Sequence, residues 1–225
     1  MTELSPLQLV IIWVVPVLFA ITVHEAAHAW AAFHLGDDTA HSLGRITLNP
    51  IKHIDPIGTV ILPTLMLMLT NFVFGWAKPV PVNFRRLRNP RRDMAFVALA
   101  GPASNLLMAI FWAIIAQIGW LAYESFPITI FFVYMGSAGI FINAILMVLN
   151  LLPILPLDGG RILYSLLPPN LATPYAKLEP FGLVILVVLL FMGGLGKILI
   201  YPVILIYALM DGSIVILQLI FGGSV

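Results

Sequence analysis

His24, Glu25 and His28 place three ionisable side chains inside an apolar run that extends from Leu7 to about Ala32. On an α-helix, residues four apart share a face and stack about 6 Å apart along the axis, so both imidazoles reach one ion. Glu25 projects roughly 100° round the helix, beside that ion rather than opposite it. In this arrangement two neutral histidines hold Zn²⁺, and the carboxylate serves as general base to a water that the ion activates. The spacing is that of the His-Glu-x-x-His pattern. Burying the three groups without a neutralising partner costs on the order of several kcal/mol, and a metal is the commonest such partner. A proton or ion pathway through a membrane helix is the competing reading.

The elements that must position these residues are membrane helices. Of 225 residues, 61% are hydrophobic and only 9% charged, well below the quarter or so of a soluble domain. Six apolar stretches stand out, at about 7–33, 57–75, 94–122, 127–152, 179–195 and 198–220. Helical spans need about 20 such residues, and the strict alternation of a membrane β-barrel is absent. The expected fold is an all-α polytopic membrane protein, a single domain over 1–225. It has about five transmembrane helices, with 57–75 re-entrant or interfacial. A net charge of +1 says little about partners, and no nucleic-acid signature is present. The lack of cysteine excludes thiolate ligands, disulfides and a thiol nucleophile, leaving His and carboxylate to hold a metal. The segment Met1–Pro6 has no basic n-region, so the first apolar run reads as a retained helix.

A third ligand must come from elsewhere in the chain. The fourth stretch ends in Asn150-Leu151-Leu152-Pro153-Ile154-Leu155-Pro156-Leu157-Asp158-Gly159-Gly160-Arg161. Its two prolines break the helix and present Asp158 from a non-helical segment, where irregular backbone at membrane depth lines a cavity or is buried in protein. Alone, Asp-Gly reads as a cap and turn; beside a histidine pair that lacks a ligand, Asp158 leads. If 57–75 crossed the bilayer, Asp158 would lie up to about 30 Å from the histidines. If it does not cross, the first and fourth stretches end on one face and the ligands meet. Arg45, Lys52, Lys78, Arg85, Arg86, Arg88, Arg91, Arg92, Arg161 and Lys177 then share a side and leave Lys197 on the other, which makes that side cytoplasmic.

Three further segments carry polar signals. Ser42–Pro50 alternates, and reads either as a short β element whose edge accepts an extended peptide or as an interfacial loop. The basic segment 83–92 reads as a topogenic loop against anionic headgroups. In Gly101-Pro102-Ala103-Ser104-Asn105, small residues permit close helix approach, while Asn105 needs an interhelical partner and favours packing over catalysis. His34 and His41 read as solvated.

Together these motifs resemble the site-2 protease family of intramembrane zinc metalloproteases. The resemblance rests on His-Glu-x-x-His at 24–28, Gly-Pro-x-x-Asn at 101–105 and Asn-x-x-Pro-x-x-Pro-Leu-Asp-Gly-Gly at 150–160. Asn49–Pro56 is similar to the matching segment of compact prokaryotic members without a PDZ or regulatory domain. The resemblance implies that His24, His28 and Asp158 bind one Zn²⁺, that Glu25 is the general base and that Asn150 donates to the scissile carbonyl. It also draws His53 toward the site. With Asn105, Gly44, Arg45, Ile46 and Thr47, it would hold a substrate strand extended. The implied activity is peptide-bond hydrolysis in or near a transmembrane segment of a substrate protein, in the cytoplasmic membrane. A transporter using the His/Glu/Asp cluster, or an inactive metal-bearing scaffold, are the alternatives.

Overall fold

The computed structural model describes residues 5–61, 65, 68, 75 and 77–221. Their helices are α1 (Pro6–His34), α2 (Thr39–Ser42), α3 (Pro90–Ala122), α4 (Ile130–Asn150), α5 (Asp158–Leu166), α6 (Pro169–Ala176), α7 (Gly182–Phe191) and α8 (Gly194–Phe221). Leu7–His34, Pro90–Ala122, Pro127–Asn150 and Pro169–Phe191 are long and apolar enough to cross a bilayer, and Gly194–Met210 is a shorter apolar helix. The polytopic all-helical expectation therefore holds. A capping box between Ser5 and Gln8 starts α1, with Pro6 in its first turn.

The centre of the bundle is α1, α3 and α4. Lipid tails are as apolar as leucine, so helices in a bilayer associate through close packing of small residues. Gly139 of α4 lies against the Trp112 ring of α3, where an added Cβ would stand 2.2 Å from Cγ. Ile12, Trp112, Ala113, Met135, Ala138 and Ile140 form a buried cluster there, and Tyr207 and Met210 of α8 pack on it.

The path of the chain returns α4 to the level where α1 ends. The Arg88 N–H donates to Leu35 O at 3.0 Å, so α3 starts beside the end of α1 and leads away from it. α4 then runs back, and Asp158 follows at the level of the histidines. Most of 57–75 lies outside the described residues. Its flanks, however, are joined: the Lys78 N–H donates to His53 O at 2.9 Å, so the chain enters and leaves this stretch at one level.

The alternation at 42–50 is not a strand, and no strand forms among the described residues. Ser42 ends α2, and Gly44 turns the chain with φ +63, a left-handed conformation that breaks an extended run. Arg45 is then buried instead of alternating outward. A hydrophobic alternation is only a strand when a neighbouring edge pairs with it, and here His53 and the 77–82 segment supply side-chain and loop contacts instead.

The Gly139 contact is testable. Gly139→Ala will lower the unfolding temperature in detergent, since overpacking of this kind costs about 1–3 kcal/mol. Gly196→Ala, with nothing within 4 Å of its Cβ position, will leave the temperature unchanged or raise it.

Candidate metal centre

His24 and His28 sit one turn apart on α1, their rings edge to face with centroids 4.6 Å apart. Their Nε2 atoms are 3.0 Å apart, and each lies 3.3 Å from Asp158 Oδ2. Helix α3 closes one side through Gly101, where a Cβ would stand 2.4 Å from His28 Nε2. Asp158 is presented by the first residue of α5 rather than by irregular chain, as its position after two prolines suggested. An acidic residue favours a helix N-terminus through the dipole there, and the broken turn 151–157 lets the new helix begin. The following Gly159 lets that turn close, since its Cβ would meet Leu151 O at 2.2 Å.

The hydrogens on the two rings follow from their outer partners. His28 Nδ1 lies 2.8 Å from Val97 O; a carbonyl oxygen only accepts, so Nδ1 donates and, in the neutral ring that ligates a metal, Nε2 presents a lone pair. His24 Nδ1 lies 2.6 Å from Asn105 Oδ1, with the same consequence. Two lone pairs and a carboxylate oxygen therefore face one another, and Asp158 Oδ2 is buried without a hydrogen-bond partner. Such a cluster is repulsive until a cation enters it. Zinc bonds of about 2.0–2.1 Å at tetrahedral angles separate ligand atoms by about 3.3–3.4 Å, close to the spacings of 3.0 and 3.3 Å here. Three ligands leave a fourth position open, the pattern of a catalytic rather than a structural zinc.

Glu25 projects from the same helix toward the 77–82 segment, and its Oε2 accepts the Val80 N–H at 2.8 Å. That segment is itself held in place. Arg45, buried, donates through Nη2 to Lys78 O at 2.9 Å and Pro79 O at 3.4 Å. Fully buried His53 contacts Thr47 O through Nε2 at 2.9 Å. Ile46 packs with Ala29, Ala40 and Val80, and Asp37 Oδ2 accepts the Asn83 N–H at 2.6 Å.

The sequence-derived residues thus divide. His24, His28 and Asp158 come together. Arg45, Ile46, Thr47 and His53 reach the centre at second hand, by supporting the segment that meets Glu25, while Gly44 is an exposed turn. Asn105 is fully buried against His24. Asn150 donates through Nδ2 to Leu146 O of its own helix at 2.9 Å. His34 and His41 are exposed, the latter stacked on Phe33. Sequence reasoning missed Val80, whose backbone leaves no signature, and Asn143, which donates no charge but is a polar side chain in an apolar span and so required a partner.

Gly101→Ala will lower zinc affinity by about tenfold or more, the scale on which displaced supporting groups act. Chelator competition on the purified protein measures it, and unchanged affinity would show that the histidines have room to yield.

The model of peptidase family M50 matches residues 121–193, a range that includes Asn150 and Asp158. "Putative zinc metalloprotease YwhC" of Bacillus subtilis (strain 168) is 39% identical over 203 residues, covering 88% of this chain and 87% of that protein. "Putative zinc metalloprotease Rip2" of Mycolicibacterium smegmatis is 32% identical over 181 residues, 80% of this chain and 66% of that protein. The Mycobacterium tuberculosis (H37Rv) protein of the same name is 31% identical over 173 residues, 76% of this chain and 63% of that protein. No solved structure matches significantly. With a His-His-Asp cluster built from separate helices, and a relative of this identity along most of both chains, the chain belongs to peptidase family M50, the site-2 proteases.

Proposed function

We propose that this chain is an intramembrane zinc endopeptidase that hydrolyses a peptide bond in or near a transmembrane segment of a substrate protein. The observation that carries this reading is the meeting of Asp158, at the start of the short helix α5, with His24 and His28 on a helix long enough to span a bilayer. These three residues would hold one Zn²⁺. When bound, the ion acidifies a water and polarises a carbonyl. Glu25 would serve as general base to a water activated there, and the Val80 N–H bound to Oε2 holds the carboxylate in place while leaving it acceptor capacity for a proton. Asn150 keeps a second amide hydrogen beyond the one given to Leu146 O, and this donor serves the developing negative charge on the scissile carbonyl.

A substrate helix must unwind before cleavage, because its carbonyls are otherwise bonded within the helix. The supported segment 77–82, backed by Arg45, Ile46, Thr47 and His53, forms the wall beside Glu25 along which the unwound strand lies. Exposed Arg85, Arg86, Arg88, Arg91 and Arg92 cluster where α3 begins, beside the end of α1. The positive-inside rule supports a cytoplasmic-membrane protein with the catalytic end facing the cytoplasm.

Glu25→Gln separates this reading from a transporter or an inert scaffold. In liposomes containing a transmembrane substrate, the variant will keep its zinc and lose cleavage by about 10²–10⁴-fold, whereas Asp158→Asn will lose both. Cleavage that persists in Glu25→Gln would overturn the mechanism, and ion flux without proteolysis would favour the transporter.

A further inference from the structure

Asn143 lies on α4, fully buried, and belongs to no motif of the metal centre. Its side chain links α4 to Asn105 of α3, which in turn contacts α1. Nδ2 donates to Gly139 O at 2.8 Å, and Oδ1 accepts from Asn105 Nδ2 at 2.9 Å. Asn105 Oδ1 in turn lies 2.6 Å from His24 Nδ1. The chain of contacts has one direction. A backbone carbonyl only accepts, so Gly139 O fixes which end of the Asn143 amide carries nitrogen. Asn143 then offers oxygen to Asn105, which must answer with Nδ2. Only Oδ1 of Asn105 remains for the ring, so His24 carries its hydrogen on Nδ1 and turns a bare Nε2 toward Asp158.

We propose that Asn143 is a positioning residue that sets the tautomer of His24 through Asn105. The inference rests on the metal reading above and adds a residue to it. Ligating histidines are held by a partner on the outer ring nitrogen, and loss of such a partner typically lowers metal affinity 10–100-fold. His28 obtains that partner directly from Val97 O, whose polarity cannot change. His24 has an amide instead, and an amide can rotate by half a turn. Rotated, Asn105 would present Nδ2 to the ring and favour the tautomer with hydrogen on Nε2, which blocks the ligand position. Ala20 O also faces Asn105 Nδ2, at 3.4 Å, a longer contact in the same sense; the 2.9 Å bond to Asn143 is the stronger restraint.

The test compares zinc dissociation constants, by chelator competition in detergent, for the full chain and four variants. Asn143→Leu removes the acceptor and will weaken zinc about 10-fold or more. Asn143→Asp keeps it: buried as a neutral acid, it donates to Gly139 O and accepts from Asn105, so affinity stays within a few-fold of wild type. Asn105→Ala will weaken zinc comparably, and adding Asn143→Leu to it will cause no further loss, because Asn143 then has no path to the ring. A leucine variant with wild-type affinity would overturn the proposal. So would an aspartate that binds as poorly as leucine, or a double variant whose loss is the product of the single losses, the result expected of packing alone. If leucine is not accommodated, Asn143→Ala carries the same expectations. A wild-type chain that bound no zinc would overturn the metal reading beneath the proposal, whereas tight wild-type and equally tight leucine binding overturns only the relay.

Discussion

Two imidazole nitrogens and a carboxylate oxygen, all electron-rich, face one another across 3.0–3.3 Å in a low-dielectric interior. In neutral rings whose single hydrogens go to the outer partners, Val97 O and Asn105 Oδ1, no hydrogen stands between them. Left alone the cluster is repulsive; around a divalent cation the same geometry is favourable. The surroundings serve that one requirement. Gly101 admits the rings, the proline-broken turn delivers Asp158 at their depth, and Val97 O and the Asn105 amide meet the outer ring nitrogens.

The bilayer sharpens each of these demands. A polar group in hydrocarbon has no water to fall back on, so each must be satisfied within the protein. Asn105 and Asn143 satisfy each other and a backbone carbonyl while linking α1, α3 and α4. Interhelical amide bonds thus serve both as adhesive and as the means of orienting a ligand. The close fit of Gly139 on Trp112 brings α4 near enough for this contact: one backbone position supports packing by its missing side chain and orients Asn143 by its carbonyl.

Around Glu25 a different kind of support operates. Arg45, His53 and Asp37 are buried, yet none reaches the cluster of ligands; each binds backbone or packs behind the 77–83 chain. The effect is to hold a backbone N–H, that of Val80, against one oxygen of Glu25. Prolines 79 and 81 have no N–H of their own and stiffen the segment that presents it. A carboxylate confined in this way keeps little rotational freedom, which suits the general-base role proposed for Glu25.

The sequence by itself determined what depends on near neighbours or on composition. The histidine pair is legible because four residues on a helix return to one face, a local rule that needs no tertiary contact. Spanning helices are legible because hydrocarbon thickness demands a minimum apolar length. Asp158 was reachable only by adding topology, the requirement that two stretches end on one face. The tertiary structure alone decided the rest. Ser42–Pro50 alternates like a strand, but no edge pairs with it and Gly44 turns it aside, so Arg45 goes inward to bind a distant backbone. Asn143, Val80 and Val97 gain their roles from groups far away in the chain, through bonds to main-chain atoms or to an amide on another helix. Backbone donors and acceptors are the same at every residue except proline, so their partners leave no mark on sequence until the fold brings them together.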